Sequence, residues 1–303
     1  MPLFISVLLN NVLPAFFVIG IGFLVDRTLH IDKRTMSRLA IYVLTPSLVF
    51  SAMLRSTVDP RDFGLMILFV FVITFAMVGL GLLVGRLLKW PQRTTDALVL
   101  SIAFLNSGNF GMSVVLFTFG QAGLELASIF YVGCNLVVNT VAAFIAARTS
   151  TGGVKKALTK VFKLPGIYAF ALAFLLRGLS IQLPEPILKP ITVVGGAAVP
   201  MLLLMLGIQL SQTRIGRRYK EVSIGVALRL GAGTLLALLL APLMGLEGLA
   251  RNVAIVEAST PTAVNSALMA IEFDADAELV TSVIFFTTLL SSITLTILIA
   301  FLA

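Results

Sequence analysis

Solid apolar blocks of roughly 20 residues, parted by short charged connections, fill most of this chain, and each is long enough to cross a bilayer as a helix. Inside lipid every backbone polar group must find its partner within the protein, so only helices and closed barrels can span. A barrel would show short segments of alternating polarity, and these blocks do not alternate. The chain therefore reads as an all-α integral membrane protein. Its charged fraction of 12% and mean hydropathy of +1.05 exclude an ordinary soluble domain, in which about a quarter of residues are charged. Ten transmembrane helices are expected, over 4–25, 35–54, 63–88, 94–119, 122–147, 164–183, 188–211, 221–244, 249–272 and 278–302. Pro184, Pro186 and Pro190 blur the sixth connection, and the longest connection is Arg148–Lys163, so no separate soluble domain is expected.

Net charge is +8, yet the basic residues are not gathered into a nucleic-acid footprint. Of the 22 Lys and Arg, 16 fall at odd-numbered connections and five at even-numbered ones, with Arg229 alone inside span 8. The bias of Lys and Arg toward the cytoplasm sets odd connections inside and both termini outside. Lys155, Lys156, Lys160 and Lys163 would then sit at lipid headgroups. Met1–Phe4 carries no basic segment of a cleavable signal, so the first apolar block is expected to be retained. One cysteine, Cys134, excludes a disulfide framework, and one histidine, His30, leaves no Cys/His set for zinc. No cofactor is expected.

Two blocks are interrupted. Leu105–Met112 (LNSGNFGM) breaks span 4, and Glu257–Asn265 (EASTPTAVN) breaks span 9. Backbone freed from a helix at mid-depth is tolerated only where protein or a wet cavity surrounds it. Interruptions in corresponding halves are the best sequence pointer to a transporter's substrate site. The halves do correspond: Pro46 in span 2 matches Pro200 in span 7, and Ser107 and Pro261 each follow their proline by 61 residues. An odd number of spans per half inverts the second half. We expect a 5+5 inverted repeat, 1–148 and 164–303, joined by a cytoplasmic connector over 149–163, with crossed, interrupted helices 4 and 9.

In span 4, Gly108 and Gly111 let the backbone leave helical geometry, while Asn106, Ser107 and Asn109 bring hydrogen-bonding side chains. In span 9, Pro261 removes a backbone donor, Ser259, Thr260 and Thr262 can re-satisfy freed carbonyls, and Asn265 lies one turn on. If the broken helices cross, their free N–H ends suit a carboxylate. The plainer reading is kinks glued by polar side chains. Glu257, one turn before Pro261, is costly within a span and by default marks an ion or proton path, H⁺ or Na⁺; the static alternative pairs it with Arg229. Asn135 and Asn139 share one face of span 5, for a cavity or for interhelical bonding. Pro46 and Pro200 are expected to kink their helices. The acidic run Glu272–Glu278 reads as a solvated turn.

TPSLVF in span 2, NSGNFG in span 4, VPMLLLMLGIQL in span 7 and EASTPTAVN in span 9 resemble the auxin efflux carrier family, in its short bacterial form, over essentially the whole chain. That family is similar in fold to sodium–bile acid symporters. The resemblance implies ten helices in inverted repeats, with helices 1, 2, 6 and 7 as a scaffold, open to homodimer formation, and the remainder as a moving core. It implies transport of organic anions, such as auxin or small carboxylates like malate and malonate. It also implies that Asn109 and Gly111 lie at the first crossover, that Pro261 lies at the second, and that Asn135 and Asn139 face substrate. Family members commonly carry a proline shortly after the glycine where this chain reads Gly111-Met112-Ser113, so the span 4 break is expected to rest on Gly108 and Gly111.

These features point to a secondary active transporter of a small organic anion in a bacterial inner membrane, multi-pass, working by alternating access around the helix 4/9 crossover. A sodium/proton antiporter or a sodium-coupled symporter on the same fold ranks second, with Glu257 the single carboxylate available. An intramembrane enzyme is remote: every Asp lies in or beside a loop, and His30 stands alone.

Overall fold

The computed structural model describes residues 3–56, 58–149, 165–213 and 215–303. The expected connector over 149–163, with its lysines, otherwise lies outside the described residues. Among these residues the protein is all-helical, without a named strand. In chain order the helices are α1 Leu3–Leu29, α2 Arg34–Arg55, α3 Pro60–Leu87, α4 Gln92–Ala103 and α5 Met112–Thr149. There follow α6 Pro165–Gly178, α7 Glu185–Ser211, α8 Tyr219–Leu243, α9 Gly248–Ala258, α10 Asn265–Glu272 and α11 Ala277–Leu302. Seven helical segments are long and apolar enough to cross a membrane: α1, α2, α3, α7, α8, α11 and Ser107–Val138. The protein is thus a multi-pass integral membrane protein.

Irregularities within these helices follow the prolines. The π-turn Leu8–Val12 precedes Pro14 in α1, and the π-turn Ala40–Leu44 precedes Pro46 in α2. A wider turn absorbs the carbonyl that a proline cannot meet with an N–H. In α7 the path turns at Ala197, just before Pro200. A further π-turn, Ala227–Ala232 in α8, contains no proline but does contain Arg229. Gly120 leaves helical geometry within α5, near where spans 4 and 5 were expected to part.

The helices pack in two bundles. One holds α1, α2, α6 and α7, with α1 against α7 and α2 against α6 and the start of α7. The other holds α3, α4, α5, α8, α9, α10 and α11. In lipid the hydrophobic effect does not drive helices together, so close backbone approach through small residues matters more. Gly22 of α1 lies against the Leu204 backbone, and Gly207 of α7 against the Ile19 carbonyl and Phe23 nitrogen. The same pair is tied at one end by Asp26, which accepts from Ser211 and from Gln212 Nε2 at 2.9 Å. Between the bundles, Phe16 meets Phe110 edge-on at 5.6 Å, and Phe63 meets Phe170 and Phe174 at 5.6 and 5.5 Å.

Several connections meet one another. Those after spans 3, 7 and 9 meet: Arg93 pairs with Asp274 at 3.0 Å, and Arg218 pairs with Asp276 and with Glu221 at 2.9 Å. Burial works against the Arg218 charge, but its bonds to Glu221 and Asp276 outweigh that and hold the guanidinium above its ordinary range. The connections after spans 2 and 6 meet elsewhere, where Arg177 donates to the Val58 carbonyl at 2.8 Å. The acidic run is a turn with Glu272, Asp274 and Glu278 exposed, as expected, and it also carries structure: Asp276 caps α11 through Leu279 N and accepts from Arg218.

A Cβ at Gly207 would meet α1 backbone, which cannot move aside as a side chain can. Gly207→Ala is expected to destabilise the protein by about 1–3 kcal/mol, read as a lower unfolding temperature in detergent, whereas Gly231→Ala, with open space around it, should change little.

Candidate functional site at the helix breaks

Helix α4 stops at Ala103 because Phe104 turns extended (φ −99°, ψ 124°). Helix α9 stops at Ala258, three residues before Pro261, which has no N–H to continue it. The two extended segments then lie antiparallel across each other. Asn106 N donates to the Pro261 carbonyl at 2.9 Å, Ala263 N donates to the Phe104 carbonyl at 2.9 Å, and Leu105 and Thr262 form an isolated β-bridge.

Many of the carbonyls freed by these breaks are answered. Ser259 Oγ donates to the Ile255 carbonyl and Thr260 Oγ1 to that of Glu257, each at 2.7 Å. Thr262 Oγ1 donates to the Ser101 carbonyl at 2.6 Å, while Thr262 N donates to Thr287 Oγ1 at 3.2 Å. Arg229, wholly buried, supplies the rest: Nε donates to the Thr260 carbonyl at 2.9 Å, Nη1 to that of Ile102 at 2.8 Å, and Nη2 to that of Ala258. The static pairing of Arg229 with Glu257, the alternative that the sequence left open, is not what the structure shows; the guanidinium is spent on backbone.

Glu257 is also wholly buried, and neither of its carboxylate oxygens has a hydrogen-bond partner. It faces Gly111, where a Cβ would collide with the carboxylate. Two further buried atoms lack partners here: Asn106 Nδ2 and Ser107 Oγ. Asn106 precedes the π-turn Ser107–Gly111, whose N-terminal amides receive no side-chain cap, and α10 likewise starts uncapped. Burial without partners is costly for each such group, so their gathering at one place is informative.

The glycines do not make the break, as the sequence suggested; it falls earlier, at Phe104–Asn106, where cross-bonding to the second segment fixes the chain. Gly108 and Gly111 instead admit neighbours, the Tyr131 ring and Glu257. Thr260, Pro261 and Thr262 are buried at the meeting point, while Asn109 is half-buried. Asn265, expected beside them, is exposed at the start of α10. Asn135 donates to the Tyr131 carbonyl of its own helix at 2.8 Å, and the side chain of Asn139 lies outside the described residues. Sequence reasoning missed Thr287, which carried no signal beyond being polar in an apolar run. It also missed the role of Arg229, whose position inside span 8 was a signal. A separate cleft of about 650 Å³ opens among Arg93, Arg218, Asp274 and Asp276, away from the breaks. Among the described residues no group of His, Cys, Asp and Glu is arranged to hold a metal.

A membrane protein in which two internal helix breaks lie against each other beside unpartnered polar groups is built as a transport protein. Residues 7–299 match the family described as membrane transport protein, and the chain belongs to it, the auxin efflux carrier family that its motifs resemble. It is 30% identical over 267 residues to an uncharacterized transporter of Methanothermobacter thermautotrophicus, covering 87% of both chains. It is 25% identical over 264 residues to an uncharacterized transporter of Methanocaldococcus jannaschii, covering 85% of this chain and 86% of that one. The family is one of transporters, not of intramembrane enzymes.

Thr262→Val keeps the shape of the side chain but strands the buried Ser101 carbonyl. It should lower stability by about 1–3 kcal/mol in thermal unfolding, and Thr262→Ser, which retains the hydroxyl, should lower it less.

Proposed function

We propose that this protein is a secondary carrier of a small organic anion, with its substrate site where spans 4 and 9 break. The observation that carries this reading is the pair of unpartnered, buried polar atoms, Asn106 Nδ2 and Ser107 Oγ, at the start of an uncapped helical turn. An amide donor, a hydroxyl and free backbone N–H groups at a positive helix end suit a carboxylate. Asn109 and the start of α10 complete the surroundings.

Glu257 stands beside the same groups. An ionised carboxylate next to a bound anion is unfavourable where the effective dielectric constant is low. A proton or a sodium ion on Glu257 removes that conflict, which makes it the coupling group in this reading. Alternating access follows as a shift of the larger bundle against α1, α2, α6 and α7, whose contacts are aromatic and apolar near Phe16 and Phe63. Dividing α5 at Gly120, so that its first part completes span 4 and the rest is span 5, and counting α6 and the α9–α10 pair as crossings, gives ten spans in a 5+5 inverted repeat, 1–148 and 164–303, in a bacterial inner membrane with both termini outside. The meeting of connections 3, 7 and 9 at one face supports that arrangement, as does the bias of Lys and Arg.

The test is thermal unfolding of purified protein against mono- and dicarboxylates, with sodium or choline, across pH. A ligand that binds only the folded state stabilises it by about 2.7 kcal/mol at a hundred-fold excess over its dissociation constant. A carboxylate is expected to raise the unfolding temperature of the wild type and to do so much less in Asn106→Ala. Glu257→Gln should remove the dependence of that shift on pH and sodium; an unchanged dependence sinks the coupling role. A response to sodium or pH alone, blind to every carboxylate, moves the assignment to a cation antiporter.

A further inference from the structure

Among charged side chains of the described residues, Arg229 and Glu257 alone have no exposure at all, and they are treated in opposite ways. Both carboxylate oxygens of Glu257 are left without a hydrogen bond, whereas Arg229 reaches three carbonyls. Those carbonyls share an origin. Ile102 ends α4, Ala258 ends α9, and Thr260 belongs to the extended segment after α9. The last carbonyls of a helix are unsatisfied by the helix and carry the negative end of its dipole. Two such ends converge here, one from each interrupted span. Carbonyls at broken helix ends are the groups on which membrane carriers hold a bare alkali cation, and here three of them surround one guanidinium, each taking a different nitrogen. Arg229 reaches them from a π-turn in α8, a local widening with no proline to account for it.

We propose that the Arg229 guanidinium is a resident counter-cation, held by the carbonyls of both helix ends where a dissolved monovalent cation would otherwise be needed. This deepens the reading of the breaks as an anion site and rests on it only for its transport consequence. With Arg229 fixed, the empty site holds one positive and one negative group. The site loaded with a monoanion and one cation or proton on Glu257 has the same zero sum. Both forms then cross the membrane interior without an uncompensated charge, and a single exchangeable cation suffices. Arg229 does not touch the atoms assigned to the substrate; it is a positioning residue for the two helix ends and sets their charge.

The experiment is chemical rescue in the full chain. Arg229→Ala, Arg229→Gln and Arg229→Lys are purified in choline chloride and unfolded thermally. Choline is then replaced by millimolar guanidinium or sodium at constant ionic strength. In choline the two neutral variants should unfold at least about 5 °C below wild type, because buried carbonyls are stranded. Guanidinium should recover a saturable part of that loss, sodium a smaller part, and the wild type should gain nothing from guanidinium. Neutral variants indifferent to guanidinium and sodium overturn the proposal, and so does a wild type that gains from guanidinium as much as they do. If neither neutral variant folds in choline, purification in guanidinium decides: recovery of folded protein supports the role, and failure there too, with Arg229→Lys equally unfolded, overturns it. The two readings fail separately. Rescue by guanidinium in a protein that binds no carboxylate keeps the counter-cation and discards the anion site; carboxylate binding without rescue does the reverse.

Discussion

The constraint on which the whole structure turns is that a carbonyl or an N–H left open inside a membrane must be answered by protein. Two helices break this rule at once, and each is repaired by the other. Asn106 N and the Phe104 carbonyl, lost to α4, are taken by the Pro261 carbonyl and Ala263 N. Neither break would be stable alone, so α4 and α9 cannot each end where they do without the other. The side chains around them, Thr262, Thr287 and Arg229, are best understood as parts of this repair. Their hydrogen bonds run across 25 to 161 residues of sequence.

The repair is one-sided. Carbonyls at the C-terminal ends of α4 and α9 are closed by Thr262 and Arg229, while the amides that begin Ser107–Gly111 and α10 receive no side chain. At α10 the amides of Ser266 and Ala267 are taken by the Ala263 and Val264 carbonyls, so it is the start of Ser107–Gly111, without a side-chain cap, against closed carbonyl ends that gives the meeting point its polarity. A site that bound cations on its backbone would have the opposite arrangement. The glycines at 108 and 111 fit the same logic: a side chain at either position would strike Tyr131 or Glu257 and push apart the elements that surround the open amides.

Membrane class, the two interruptions and the family are legible in the amino-acid sequence alone. They follow from apolar blocks and from motifs such as NSGNFG and EASTPTAVN, because lipid punishes irregular backbone so severely that the exceptions stand out. The place of the first break is not legible there. Glycine-rich sequence draws attention to Gly108 and Gly111, yet the chain leaves the helix earlier, at Phe104–Asn106, where Asn106 alone favours a turn. What decides it is a partner some 155 residues away, Pro261 for Asn106, and local sequence carries no record of that pairing. Asn265 shows the converse: it is one turn beyond Pro261, but the extended path from Ser259 resets the helical phase, so the spacing no longer says which way it faces.

Arg229 and Glu257 show why composition alone could not assign roles. From sequence they are the two charges placed centrally within spans and so invite pairing with each other. A direct buried ion pair would have spent both, leaving the helix ends without a charge to answer them. The fold instead directs the permanently charged group to the permanent dipoles, the carbonyl ends. It leaves Glu257 without a hydrogen-bond partner beside Gly111. In the proposed carrier this sets fixed charge against fixed dipoles and exchangeable charge beside an exchangeable ligand, a division of labour that a static pair cannot provide. It gives the unpartnered carboxylate of Glu257 a physical reason to remain in a place where burial is so costly.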